Sequence, residues 1–348
     1  MAQKENLIIG LDIGSHAVKV CQIQKAGSGY RLLAVGSAAI PPGAVEDGVL
    51  QDPDEVAKAI VELFKNLKIK SKRVGISISG YSVIVKKINL EVMGDEELDD
   101  YITEEAEQYI PFDIDDVYLD YQVIRAGSDE FDRSDVMLVA AKKDVIDDYL
   151  DMLQELKLLP VLVDVDGFAL ENIWESSSDR KDNVALVDIG ASKMNINIIS
   201  DGASVLARDV VVGSEQLTNQ IANTLEIEFE KAEKYKLGQI PAGEYQEELE
   251  EIFTQTCNQW VMEIKKAIDL YIANNPDKPL ASLVLSGGGS KVRGLKQYIA
   301  AETGLDVVAF NPFSSMKLNE KKIDPEYLEV IAPELAIAAG LAIRPAEF

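Results

Sequence analysis

Two cysteines in 348 residues, Cys21 and Cys257, are too few for a disulfide framework, and neither has metal-ligand spacing. Both lie in apolar-periodic segments and read as reduced core thiols of a cytoplasmic protein. Positive charge is also scarce, with 34 lysines and arginines against 60 aspartates and glutamates, a formal net charge of −26. Most of such a surface repels phosphate polymers and anionic headgroups, which excludes nucleic acid as a partner and argues against direct membrane insertion. No stretch reaches about 18 uninterrupted apolar residues, and the opening MAQKENLIIG has neither a signal-type apolar region nor a cleavage site. Low-complexity and linker-like stretches are missing too. What is abundant is apolar side chain, 47% of the sequence, enough for the cores of two or more domains.

The chain repeats itself. LIIGLDI, GSH, AVKVCQIQ, AGSG and YRLLAVGSAAI make three strands joined by glycine-bearing turns, and from Val184 the same layout returns as VALVDI, GAS, KMNINII, SDG and ASVLARDVVV. Asp12 and Asp188, the matched acids, are 176 residues apart, about half the length, so two halves of similar topology are expected. PDEVAKAIVELFKNLKI has helical periodicity, and RVGISISG and SVIVKKINL read as paired strands that extend the first sheet. Residues 87–163 have no counterpart in the second half and read as an inserted subdomain, with an acidic helix, a break at Pro111, two strands and a second helix. A helical block from Ser214 to Asn274, interrupted at GQIPAG, forms a lobe on the second half. PELAIAAGLAIR is apolar enough on one face to pack onto a core.

An apolar strand that carries Asp12 needs a reason, because an unpaired buried charge is costly. Gly14 and Ser15 after it, and Gly190, Ala191 and Ser192 after Asp188, would expose backbone N–H groups where glycine allows a bulky anion to approach. Repeat symmetry would aim the two turns at one cleft, holding a polyphosphate between them. Carboxylates beside phosphates make sense with a divalent cation, and Mg²⁺, which uses few carboxylates plus phosphates, fits. Lys19, on the next strand, could return to the phosphates as a point charge. Either turn alone is equally ordinary strand punctuation; it is the matched pair that points to nucleotide. SGGGSK at 286–291 is either a close approach to a flat ring or diphosphate, or a tight β-to-α turn.

Three motifs, D-x-G-S-x-x-x-K at Asp12–Lys19, D-I-G-A at Asp188–Ala191 and G-G-G-S at Gly287–Ser290, resemble the two phosphate motifs and the adenosine motif of the actin-like ATPases, in that family's order. VDVDGFALEN, DIGASKMNINI and the insertion are similar, more narrowly, to the PilM family of type IV pilus assembly, relatives of the division protein FtsA. This resemblance implies an α/β, ribonuclease H-like duplicated actin fold of two domains around an interdomain nucleotide cleft, with an FtsA-type inserted subdomain. It implies a first core of 1–86, completed by 164–183 and 333–348; the insertion at 87–163; a second core of 184–213 and 282–332; and a helical lobe of 214–281.

The resemblance further implies that Gly14, Ser15, His16 and Lys19 hold the β- and γ-phosphates of ATP, and that Asp12 and Asp188 hold Mg²⁺ through water. Gly190, Ala191, Ser192 and Lys193 form the second phosphate loop, and Gly213 opens a helix whose amides face phosphate. Gly287, Gly288 and Gly289 lie at adenosine, and Glu233 and Lys236 at ribose and adenine, or else they form an exposed helix salt bridge. Asp166 stands where relatives orient the attacking water, and His16, the single histidine, is read as a neutral bystander in catalysis. Ser192 and Lys193 replace a glycine and a threonine of the family's loop, so tight ATP binding with slow or no turnover is expected. The implied partner is the cytoplasmic N-terminal peptide of an inner-membrane PilN-type protein, docked near ISISGYSVIVKKINL, with pilus motor ATPases as further contacts. The protein would then be a cytoplasmic scaffold recruited to the inner face of the inner membrane. A small-molecule kinase and an FtsA-like filament are the alternatives, but no substrate base and no C-terminal membrane helix are legible for either.

Overall fold

The computed structural model describes residues 7–125, 133–177, 182–320 and 322–344. Strands β1 (Ile9–Ile13), β2 (Ala17–Ala26) and β3 (Gly29–Ala39) form the expected meander. A hairpin of β4 (Val45–Glu46) and β5 (Val49–Leu50) leads to helix α1 (Pro53–Asn66), where Asp52 caps the Glu55 amide at 3.2 Å and Pro53 occupies the first turn. Strand β6 (Arg73–Ile78) then returns parallel to β1. Next come β7 (Val83–Glu91), α2 (Asp95–Glu105), β8 (Val117–Arg125), β9 (Arg133–Lys142), α3 (Lys143–Glu155), β10 (Leu159–Val165) and α4 (Asp166–Ser177).

The second half runs β11 (Val184–Ile189), β12 (Met194–Ser200), β13 (Ala203–Val210), α5 (Ser214–Leu225), α6 (Phe229–Lys236), α7 (Gln246–Asn274), β14 (Ser282–Ser286), α8 (Leu295–Thr303), β15 (Val307–Ala309), α9 (Pro325–Ile331) and α10 (Ala336–Ile343). The two large sheets have one topology. The first is ordered β3-β2-β1-β6-β10 and the second β13-β12-β11-β14-β15, each with three antiparallel strands followed by two parallel ones. Because helices cover both faces, β11 and β12 are buried along their whole length, as parallel-type cores require.

Three expectations are corrected. β6 and β7 do not pair: β7 leaves the first sheet and joins β9 and β8 in a separate three-stranded sheet, because Gly80, at φ 90°, turns the chain between them. Nor does all of 87–163 lie apart. β10 is the edge strand of the first sheet, and α3 buries Val145, Tyr149, Met152 and Leu153 in that sheet's core, so only Val83–Lys142 forms the separate sheet with its helix. Finally, the stretch after β15 does not stay with the second half: Leu32 donates to Lys317 O at 3.0 Å, and Phe313 and Met316 share a core with Cys21 and Ile23 of β2.

Helix α10 is buried all round rather than on one face. Its AIAAGLAI sequence has a geometric cause: a Cβ on Gly340 would lie 1.8 Å from Ala169 O of α4, and one on Gly10 of β1 would lie 1.9 Å from Ala338 O. Small residues let α10 sit against both the sheet and α4, holding the connection that carries Asp166.

Candidate functional site

The two repeat turns are built alike. Across β1–β2, Asp12 faces Lys19, and across β11–β12, Asp188 faces Asn195. Gly14 N donates to Ala17 O at 3.1 Å and Gly190 N to Lys193 O at 2.9 Å, so each glycine amide closes its own turn. The amides of Ser15, His16, Ala191 and Ser192 make no such backbone bond among the described residues. Both turns line one cleft of about 340 Å³ between the halves. Of the residues expected at a site, Asp12, Gly14, Ser15, His16, Lys19, Asp166, Asp188, Gly190, Ala191, Ser192, Lys193, Glu233, Lys236 and Gly288 line it together.

Three glycines do not line it. Gly213 is packed so closely that a Cβ would lie 2.1 Å from Ala191 O, and the amides of Ser214 and Glu215 donate to Gly190 O and Ala191 O, both at 2.9 Å. The start of α5 therefore grips the phosphate-type turn instead of presenting free amides. Gly287, at φ 81°, and Gly289 are packed on β11, where Cβ atoms would come within 2.3 Å of Ile189 O and 2.4 Å of Ile189 Cγ2. Of the triple glycine, only Gly288 faces the cleft; the other two let the backbone pass close to β11.

Acids and bases alternate across the cleft. Lys19 Nζ bonds Asp12 Oδ2 at 2.9 Å, and Ser286 Oγ donates to Asp188 Oδ2 at 2.8 Å. Asp166 accepts from Ser77 Oγ at 2.6 Å and Ser79 Oγ at 2.5 Å, and lies 3.3 Å from Lys193 Nζ, which also reaches Ser79. Since Lys193 belongs to the second half and Ser79 to the first, this ion pair spans the cleft. Outside the cleft lining, the bond from Gly80 N to Asp209 Oδ2 at 2.6 Å also joins the two halves. At the far end, Glu233 Oε2 accepts from Thr218 Oγ1 and Lys236 Nζ, both at 2.7 Å, and Lys236 is 7% exposed. The two thus form the i,i+3 salt bridge, with Lys236 buried and Glu233 partly exposed.

Burial sets the ionisation of these groups. It pushes the Asp188 carboxyl up to about 7, against the Ser286 hydrogen bond and Lys19, with Asp12 and Asp166 adding repulsion. Burial also raises Asp12, with Lys19 opposing it. Burial lowers Lys236 in spite of Glu233. For Lys193, burial disfavours the charge, but Asp166 and Asp209 outweigh it and hold the ammonium above its ordinary value. Clustered acids with raised values suit a divalent cation, and clustered lysines beside free amides suit an anion. No group of three or more histidine, cysteine or acidic side chains among the described residues could hold a metal by itself. A cation here would be carried by a bound anion and water as much as by the protein.

Ser77, Ser79, Asp209, Phe229 and Glu334 were not anticipated, and Ser286 and Lys291 entered only as the ends of SGGGSK; all except Asp209 and Ser286 line the cleft. Ser286 had a findable signal, since β14 sets it opposite Asp188 in the parallel register. The others come from distant segments. A second, larger groove of about 910 Å³ lies between β8, β9, β10, α3 and α4, at the junction of the first domain and the separate sheet, and Ile78 of the stretch ISISGYSVIVKKINL lines it. No helix among the described residues is long and apolar enough to cross a membrane.

The family described as "Type IV pilus assembly protein PilM" matches residues 10–346. Among solved structures, the PilM-PilN type IV pilus biogenesis complex superposes with a TM-score of 0.87 at 26% identity, covering 98% of each chain. The ethanolamine utilization protein EutJ from Carboxydothermus hydrogenoformans gives 0.56 at 16% identity, over 97% of this chain and 89% of that one. MreB5 of Spiroplasma citri bound to ADP gives 0.54 at 13%, over 96% and 94%.

Proposed function

This chain belongs to the type IV pilus assembly protein PilM family, with its duplicated actin-like fold, and from that premise we propose that it is an ATP-binding scaffold which docks a PilN-type partner. The observation that carries the nucleotide reading is the convergence of both turns, Lys19, Lys193, Asp12 and Asp188 on one interdomain cleft. The amides of Ser15, His16, Ala191 and Ser192 would hold the triphosphate, with Lys19 and Lys193 as point charges. Asp12 and Asp188 would orient the water shell of Mg²⁺, which supplies charge neutralisation to the phosphates. Glu233 and Lys236, with Phe229 on the same face of α6, would bound the nucleoside.

Turnover is expected to be slow or absent. Asp166 already accepts from two serines and pairs with Lys193, so its carboxylate has little capacity left to orient a water. In this reading the nucleotide clamps the halves. Helix α4 connects the clamp to a dock: its first residue, Asp166, lines the cleft, while Phe168, Glu171 and Glu175 line the larger groove. That groove runs between β8 and β10, the edge strands of two sheets, whose unpaired backbone can receive an extended segment. We place the cytoplasmic N-terminal peptide of the PilN-type protein there, which would bring the scaffold to the inner face of the inner membrane.

Two measurements test this. ATP with Mg²⁺ at 100 times its Kd should stabilise the fold by about 2.7 kcal/mol. A melting temperature indifferent to millimolar ATP and Mg²⁺ would sink the nucleotide reading. Peptide binding measured with and without ATP tests the dock, and a Phe168→Ser protein that bound the peptide as well as the parent would contradict its placement.

A further inference from the structure

Apart from the cleft and the groove, an apolar pocket of about 340 Å³ is lined by Ile60, Val61, Phe64, Leu156 and Leu158 and rimmed by Lys65, Lys68, Lys70 and Lys72. In a chain of net charge −26, the segment 65–73, KNLKIKSKR, holds five bases and no acid. Among the described residues the lysine ion pairs involve other lysines. Backbone conformation adds a second observation. Lys68, at φ 55°, and Lys157, at φ 56°, take the left-handed position after α1 and α3, where glycine is the ordinary occupant. In both turns the next residue folds inward: Ile69 N donates to Phe64 O and Leu158 N to Leu153 O, each at 3.0 Å. Two helix ends thus point apolar side chains into the pocket and leave lysines outside it.

We propose that this face seats peripherally on an anionic phospholipid surface, with the lysines at phosphate level and the pocket receiving the apolar part of a lipid. The chemistry favours lipid over an acidic peptide. Lysines are hydrated point charges suited to a diffuse headgroup array, whereas carboxylate recognition favours the bidentate arginine fork, and the segment has only Arg73. Val61, 50% exposed at the pocket, gives the apolar contact that a purely ionic surface would lack. The acidity of the whole molecule does not forbid this, because charges beyond a Debye length of about 8 Å are screened. In sequence, Glu62 and Glu155 adjoin the lining residues Val61 and Leu156, and the bases of the segment outnumber them. Seating requires no spanning helix.

The test is co-flotation of the full chain with phosphatidylglycerol/phosphatidylcholine vesicles and with pure phosphatidylcholine vesicles. The protein should bind the anionic vesicles alone and release them at high salt. Lys68→Gln with Lys70→Gln should weaken binding about fivefold per base, about 25-fold for the pair. Val61→Ser should weaken it without altering the salt dependence. Unchanged melting temperatures would establish that both variants fold. Absence of anionic-vesicle binding at low salt, equal binding to neutral vesicles, or indifference to the lysine pair would each overturn the proposal. So would capture of an acidic amphipathic peptide by a chain that ignores vesicles.

Discussion

Asp188 is the residue whose environment makes the most specific demand. Its folded value of about 7 lies above the ordinary 3.8, so the folded state binds the additional proton between those limits. Stability contributed by that proton is present at low pH and is lost as pH rises towards 7 and beyond. Asp188→Asn should therefore raise the melting temperature of the nucleotide-free protein at pH 8 more than at pH 5.5, while weakening its response to ATP and Mg²⁺. A pH-independent difference would refute the assignment. If Asp188 orients Mg²⁺ as proposed, the metal would need the carboxylate, so nucleotide binding should tighten between pH 6 and 8 and release protons, which calorimetry in two buffers of different ionisation enthalpy can read. Asp12→Ala removes the hydrogen-bonded partner of Lys19, leaving only the more distant Asp188 and Glu334 to offset its charge, and should abolish the Mg²⁺-dependent part of the melting shift.

Helix α10 decides how α4 is held, and the contact depends on one missing side chain. Gly340→Ala would put a Cβ 1.8 Å from Ala169 O and 2.5 Å from its carbonyl carbon, against backbone that cannot rotate away. Overpacking of this kind costs about 3 kcal/mol or more. Gly29→Ala, at the start of β3, where a Cβ meets nothing within 4 Å, serves as the control and should stay within about 0.5 kcal/mol. Denaturant titration of both variants compares them. Because α4 also borders the groove proposed to take the peptide, partial loss of α10 packing should weaken peptide binding before it unfolds the chain.

Taken whole, the molecule carries a formal net charge of −26 on two halves joined across a cleft. Self-repulsion of that size opposes compaction, and salt screens it. The melting temperature without nucleotide should rise as NaCl increases from 20 to about 500 mM. The cross-cleft pair of Lys193 with Asp166 acts in the opposite sense, closing the halves. Lys193→Ala should make the scattering profile of the nucleotide-free chain more open while leaving each half folded. A profile unchanged by this substitution would mean that Gly80–Asp209 and the shared core hold closure without it.

The repeat alone determined much. Strand, turn and strand around Asp12 and Asp188 recur with the same spacing, and a period-two pattern with glycine turns leaves few ways to pair, so the matched meanders, the two turns and their flanking residues were all legible. Local sequence could not say which strand β7 would join, because its alternation suits either sheet and Gly80 decides the direction. Nor could it place Ser77 and Ser79 on Asp166, bring Asp209 to Gly80, or reveal that Gly287 and Gly289 serve packing. Those contacts join residues far apart in sequence, and pairings of that kind exist only once both sheets, α4 and α10 have packed against one another.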